Sequence, residues 1–171
     1  MHTEKITSPT NILFCGIGGQ GVLKASEICG IAAMLSGFQV RKSEVHGMSQ
    51  RGGSVDSHLR FGKTVHSPLI MPGKADILVS FHAEETERLK HFLKKGGLDL
   101  TLFIDRAVQK VPDKRFVNTF IMGVLSAFLP LSTAVWLAAL AQVFTRAQSE
   151  NQEAFLNGLH EGKSHDIQRK N

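Results

Sequence analysis

Residues 11–21 read NILFCGIGGQG. Apolar side chains fill 12–15 and 17, and glycine occupies 16, 18, 19 and 21, so a short buried strand is expected to run into a tight turn. Beyond the turn, Val22, Ala25, Ile28, Cys29, Ala32, Ala33 and Leu35 recur at helical spacing, and Gly37 supplies a stop. Strand, glycine turn and helix in that order predict the first unit of an α/β fold. Gly16, Gly18 and Gly21 also satisfy G-x-G-x-x-G in the one context where that pattern has a mechanical meaning. Unpaired N–H groups at the helix start would accept an anion, and missing side chains would let it approach the backbone. Gly19 and Gln20 belong to the same candidate donor set. The same glycines would equally serve a tight turn with close strand–helix packing.

Downstream, residues 38–41 predict a second strand and residues 42–53 a polar, glycine-rich loop. Residues 54–61 alternate as an edge strand would. The run DILVSF at 76–81 predicts a strand buried on both faces, 83–92 a Glu- and Lys-rich helix, and 100–104 a further strand. Helices are expected at 118–129, 132–146 and 149–159, with Ser132 and Ser149 as N-caps and Gln152 as the capping-box partner of Ser149. The predicted fold class is therefore α/β: a three-layer, Rossmann-like, open and mostly parallel sheet with helices on both faces and a helical C-terminal third. A polar leader is expected over 1–10, a single domain over 11–160 and a frayed polar tail over 161–171.

The chain has 171 residues, enough for one ordinary core and too few for two. Cys15 and Cys29 are its only cysteines, which excludes a disulfide framework, a four-thiolate zinc site and the four ligands of an iron–sulfur cluster. No stretch reaches the roughly 18 apolar residues of a membrane span, because Pro130, Ser132 and Thr133 break the apolar run 120–144. A soluble, cytoplasmic protein is expected. The net charge of +5 comes from interspersed charges of both signs, so no nucleic-acid interface is expected, while small anionic ligands stay open.

Residues 43–54, SEVHGMSQRGGS, form the second candidate constellation. Glycines around His46 and Arg51 permit unusual backbone angles, and successive N–H groups there can form an anion nest beside a guanidinium. Arg51 is expected to be the main contact to a phosphate or carboxylate, with Gly52 and Gly53 framing it and Ser43, His46 and Gln50 as orienting groups. The alternatives are a salt bridge from Arg51 to Glu44 or Asp56 and a structural bond for His46. Arg41 and Lys42 stand where an NAD site would carry an acid, which favours a phosphorylated ribose; a solvated strand end is the alternative. Glu84, Glu85, Glu87 and Arg88 read as a solvated helix face, and His58, His66, His82 and His91 lack metal-ligand periodicity.

GIGGQGVLKASEI (16–28) joined to KSEVHGMSQRGGSVDSHLRFG (42–62) closely resembles the γ-type domain of the 2-oxoacid:ferredoxin oxidoreductases, and most of all the small subunits of the indolepyruvate enzymes. SPLI (67–70), GKADILVSF (73–81), NTFIMGVLSAFLPLS (118–132) and, more weakly, NQEAFLNG (151–158) continue the likeness. The resemblance implies a subunit inactive alone, with no catalytic residue and no metal of its own. It would belong to a complex that oxidatively decarboxylates an aryl 2-oxoacid, forms an aryl-acetyl-CoA and passes electrons to ferredoxin. It further implies coenzyme A near this chain, and thiamine diphosphate with iron–sulfur clusters on a large partner subunit. The other candidate is a stand-alone nucleotide-binding or regulatory module. Segment 97–118 is shorter than in many γ-type domains, so a strand there is expected to be missing or rerouted.

Overall fold

The computed structural model describes residues 8–47 and 52–170, and the side chains of these up to residue 165. Five strands form one open sheet: β1 (Thr10–Ile17), β2 (Gln39–His46), β3 (Ser54–Gly62), β4 (Ala75–Ser80) and β5 (Leu93–Asp99), in the order β2-β3-β1-β4-β5. β4 lies parallel to β1 and β5 parallel to β4, whereas β3 is antiparallel to both its neighbours. The sheet is mixed, not mostly parallel. The cause is local: β2 and β3 are joined by residues 47–53, a connection short enough for a hairpin but not for a crossover.

β2 also runs longer than the sequence suggests, since Lys42, Ser43 and Glu44 are strand residues rather than loop. β3 is an interior strand, not an edge. Its polar Asp56, Ser57 and His58 are buried because α1 packs on one face of the strand and Arg88, Ile70 and Phe92 lie against the other. β5 precedes the expected 100–104 strand; Lys94, Lys95, Gly96 and Gly97, which lie between the helix expected over 83–92 and that strand, form this edge strand instead. Leu100 and Phe103 then bury on one side of a 3₁₀ turn, Thr101–Phe103.

Alternate residues of β1 divide the core. Ile12 and Phe14 face one side and join the larger cluster, while Leu13 and Cys15 join a smaller one with Ile70, Ala75, Leu78 and Leu89. The larger side is covered by α1 (Val22–Leu35), α4 (Val117–Ser126), α5 (Thr133–Val143) and α6 (Gln148–Lys170), and the smaller by α2 (Ala83–Leu89). α3 (Ile104–Lys110) links β5 to α4, giving 97–118 a helix and two 3₁₀ turns. Ser132 caps α5 as expected, accepting from the Val135 N–H. α6 begins one residue before Ser149, after Ala147 at φ +51°, so Ser149 lies in its first turn rather than at its cap. The helix continues through the segment expected to fray.

Candidate functional site

At the end of β1 the chain bends through Gly18–Gly21 and enters α1, whose N-cap, Gly21, is left-handed at φ +78°. The Gln20 side chain fixes this bend. Its Oε1 accepts from the Ile17 N–H at 2.9 Å, and its Nε2 donates to the Phe81 carbonyl at 2.8 Å, lacing β1 to the end of β4. A Cβ on Gly16 would lie 2.7 Å from that oxygen, so Gly16 makes room for Gln20. The Gln20 N–H donates to the Ile17 carbonyl.

The second bend meets the first. Gly18 N–H donates to the Gly53 carbonyl at 2.9 Å, and Gly47 N–H donates to the Ser54 carbonyl at 2.7 Å, closing the stem of the β2–β3 connection. The structure thus brings Gly18, Gly52 and Gly53 together, with Gly19 (φ +95°) facing open space. Because the Gly18 and Gln20 amides are already engaged, anion donors are left to the Gly19 and Gly21 amides and the first turn of α1. Gln50 and Arg51 lie outside the described residues.

A cleft of about 690 Å³ opens over these bends. Residues 17–24 form its floor, and His46 and Val55, paired across β2 and β3, one rim. The opposite wall comes from Lys114, Arg115, Phe116 and Asn118 before and within α4, and from Phe144, Arg146, Ala147 and Asn151 around the start of α6. The N-terminal ends of three helices therefore converge on one space, each contributing partial positive charge. Lys24, Lys114, Arg115 and Arg146 add four full charges, and no carboxylate is among the described lining residues. Arg115 pairs with Asp113 at 3.0 Å, and Lys24 stands 5.3 Å over the Phe144 ring. Among the described residues Lys24, Lys114 and Arg146 have no ion-pair partner. A polyanion of nucleotide size suits the volume and the charge.

None of these four cations was visible as a site in the sequence, since they converge from three distant segments. Two asparagines were missed as well. Asn151 Nδ2 donates to the Ala147 carbonyl and its Oδ1 accepts from Thr119 Oγ1 at 2.7 Å, while Asn118 Oδ1 accepts from the Thr119 N–H at 2.8 Å. Asn118 Nδ2 occupies the place a Cβ on Gly21 would need, so α4 and α6 are registered directly against the first bend.

Arg41, Lys42 and Ser43 do not line the cleft. Successive strand residues point to opposite faces, so Arg41 and Ser43 turn away from the face that carries Lys42 and His46. Lys42 pairs with Glu44 at 2.7 Å, and its hydrogen bond holds the Glu44 carboxyl below the usual range. His46 alone of the β2 candidates reaches the cleft rim, half-exposed and 3.7 Å from Glu44.

The opposite face of β3 departs most from expectation. Glu85 is only 7% exposed, not part of a solvated helix face. Its Oε1 accepts from Ser54 Oγ at 2.6 Å, and its Oε2 accepts from Arg88 Nε and Nη2 at 2.9 and 2.7 Å. Arg88 Nη2 also donates to Asp56 Oδ1 at 3.0 Å. His58 Nδ1 accepts from the Ile70 N–H at 3.0 Å, which leaves its proton on Nε2, 3.6 Å from Asp56 Oδ2. Burial, the largest single influence, pushes the Asp56 and Glu85 carboxyls up, but the hydrogen bonds and the Arg88 charge together outweigh it and both end below their ordinary values. The stability they contribute is therefore complete above their unfolded pKa values of about 4 and is lost as pH falls through the lower folded values. Urea midpoints are expected to hold between about pH 6 and 8, to drop below about pH 4, and to drop less in Asp56→Asn. A loss centred near neutral pH would contradict this.

Burial raises the Cys15 thiol to about 11 and pushes Cys29 higher still, so neither is a nucleophile at neutral pH. No helix among the described residues is long and apolar enough to cross a membrane.

Residues 11–105, which span all five strands and both bends, match the pyruvate ferredoxin/flavodoxin oxidoreductase family. The chain belongs to that family. Lys114, Arg115 and Arg146 of the cleft fall beyond the family match. The chain is 50% identical over 91 residues to the indolepyruvate oxidoreductase subunit IorB of Thermococcus kodakarensis, covering 53% of this chain and 45% of that protein. It is 26% identical to the 2-oxoglutarate synthase subunit KorC of Methanocaldococcus jannaschii, over 95% of this chain and 90% of that one. It spans about half the length of the indolepyruvate relatives it matches. The fold is shared with the gamma subunit of a keto/oxoacid ferredoxin oxidoreductase from Geobacter sulfurreducens, with a TM-score of 0.75, 24% identity and coverage of 91% of this chain and 99% of that. It is shared also with a 2-oxoglutarate:ferredoxin oxidoreductase from Magnetococcus marinus, with a TM-score of 0.77, 18% identity and coverage of 92% and 32%.

Proposed function

We propose that this chain is the small subunit of a 2-oxoacid:ferredoxin oxidoreductase of the indolepyruvate type, and that its cleft holds the phosphate-bearing part of coenzyme A. The observation that carries the ligand assignment is a cleft with no carboxylate among its described lining residues, where four cations and three helix starts surround the first glycine bend. A 3′-phosphate and a pyrophosphate set apart on one molecule match charges set apart on α1, α4 and α6, each phosphate accepting charge-assisted hydrogen bonds. The IorB and KorC relatives support the enzyme class, and the Magnetococcus enzyme is described with 2-oxoglutarate, coenzyme A and succinyl-CoA bound. Gln50 and Arg51 remain proposed contacts on the strength of the sequence.

In this proposal the oxoacid is decarboxylated on a large partner subunit carrying thiamine diphosphate and iron–sulfur clusters, the acyl group leaves on coenzyme A, and the electrons pass to ferredoxin. This chain binds and orients coenzyme A and covers the active site. With two buried cysteines it has no ligand set for a cluster. A cytoplasmic location goes with the proposal.

Coexpression with a candidate large subunit tests it. The two chains are expected to copurify and to reduce ferredoxin with indolepyruvate only in the presence of coenzyme A. Equal turnover by the large subunit alone would overturn the assignment. A chain that recovers no large subunit, yet binds adenine nucleotides lacking a 3′-phosphate as tightly as coenzyme A, would be the stand-alone module instead.

A further inference from the structure

We propose that Glu85 and Arg88 are positioning residues for the glycine bends, acting on the cleft from the opposite face of the sheet through the hydroxyl of Ser54. The proposal rests on the cleft being the ligand site. α2 packs against β1 and β4 on the face opposite α1, and neither Glu85 nor Arg88 lines the cleft. Ser54 is the first residue of β3 and follows directly on Gly53, whose carbonyl accepts from Gly18. Its main chain and side chain are both engaged: the carbonyl accepts from the Gly47 N–H, and Oγ donates to Glu85. A shift of Ser54 therefore moves the Gly53 carbonyl, and with it the Gly18 amide at the floor of the cleft.

Glu85 could not hold Ser54 alone, because a glutamate side chain with no second restraint samples several rotamers. Here its second oxygen takes two hydrogen bonds from Arg88, and Arg88 is tied in turn to Asp56, two residues along the same strand as Ser54. The four groups close a ring between α2 and β3 that fixes the carboxylate in one place. An apolar solution was within reach, for Leu13, Leu78, Leu89 and Ile70 form a hydrophobic cluster on this face. Buried charges add little net stability over well-packed apolar side chains, whereas a single geometry is what they can specify.

Amide hydrogen exchange on the full chain, with coenzyme A titration alongside, tests the proposal in Ser54→Ala, Ser54→Thr and Glu85→Gln. In Ser54→Ala and Glu85→Gln the Gly18 and Gly47 amides are expected to exchange roughly tenfold faster, with the β4 amides of Leu78 and Val79 unchanged and coenzyme A affinity falling about 3- to 10-fold. Ser54→Thr keeps the hydroxyl and should restore both. Unchanged exchange at Gly18 and Gly47 in Ser54→Ala would overturn the proposal, as would acceleration spread equally over β4, which a merely structural role would give. Failure of the unaltered chain to bind coenzyme A would count against the function above, and the exchange arm would still decide this proposal.

Discussion

Replacing Lys24, Lys114 and Arg146 together by glutamine is expected to weaken coenzyme A binding by about a thousandfold while leaving the fold intact. A charge-assisted hydrogen bond contributes about 1.5–3 kcal/mol, or roughly 10- to 150-fold in affinity for each cation. The three act on one polyanion and share its charge, so their effects should fall short of additive. None has an ion-pair partner among the described residues, and removing like charges from one cleft relieves repulsion. The thermal midpoint is accordingly expected to hold or rise, apart from the small loss of the Lys24 contact with Phe144. Calorimetric titration at two salt concentrations checks both parts, since the variant should also lose most of the salt dependence. Unaltered affinity would remove the cleft cations from the site.

The largest stability effect is expected at Gly158, where α6 crosses α4. A Cβ there would fall on the Phe120 carbonyl, and one on Gly123 would fall on that of Phe155, so each helix presents a bare backbone to the other. These are backbone atoms of two long-packed helices and cannot step aside as a side chain would. Gly158→Ala should cost about 3 kcal/mol or more and lower the thermal midpoint by roughly 6–12 °C. The sign is what matters. Alanine is favoured over glycine inside an isolated helix by about 1 kcal/mol, so a looser crossing would turn the same substitution into a stabilising one. Because Thr119 and Asn118 sit on the same helix, parting α4 from α6 should also loosen the bond between Asn151 and Thr119 and weaken ligand binding.

What the sequence disclosed follows from how far each feature reaches along the chain. β1, the glycine bend and α1 are decided within 25 residues by apolar spacing and by glycines that only a turn can use, and they stand where expected. The β2–β3 hairpin was hidden because an edge strand carries charged residues. Lys42, Ser43 and Glu44 look like loop until the strand beside them is known. The Glu85–Arg88 pair has the i,i+3 spacing of a solvated helix face, and nothing local shows that Asp56, 32 residues before Arg88, draws it inward. The same limit hid the cleft. Lys24, Lys114, Arg115 and Arg146 enter the sequence only as part of a diffuse positive charge, and it is the packing of α4 against α1 and of α6 against α4 that makes them one site. The two glycine motifs, by contrast, were legible as partners, and the Gly18–Gly53 hydrogen bond joins them.

A crystal structure of the chain grown with coenzyme A tests the ligand site most directly. Phosphate oxygens are predicted within about 2.7–2.9 Å of side-chain nitrogens from at least two of Lys24, Lys114, Arg115 and Arg146, over the first turn of α1. Coenzyme A bound elsewhere on the chain, with the cleft holding only solvent, would contradict it.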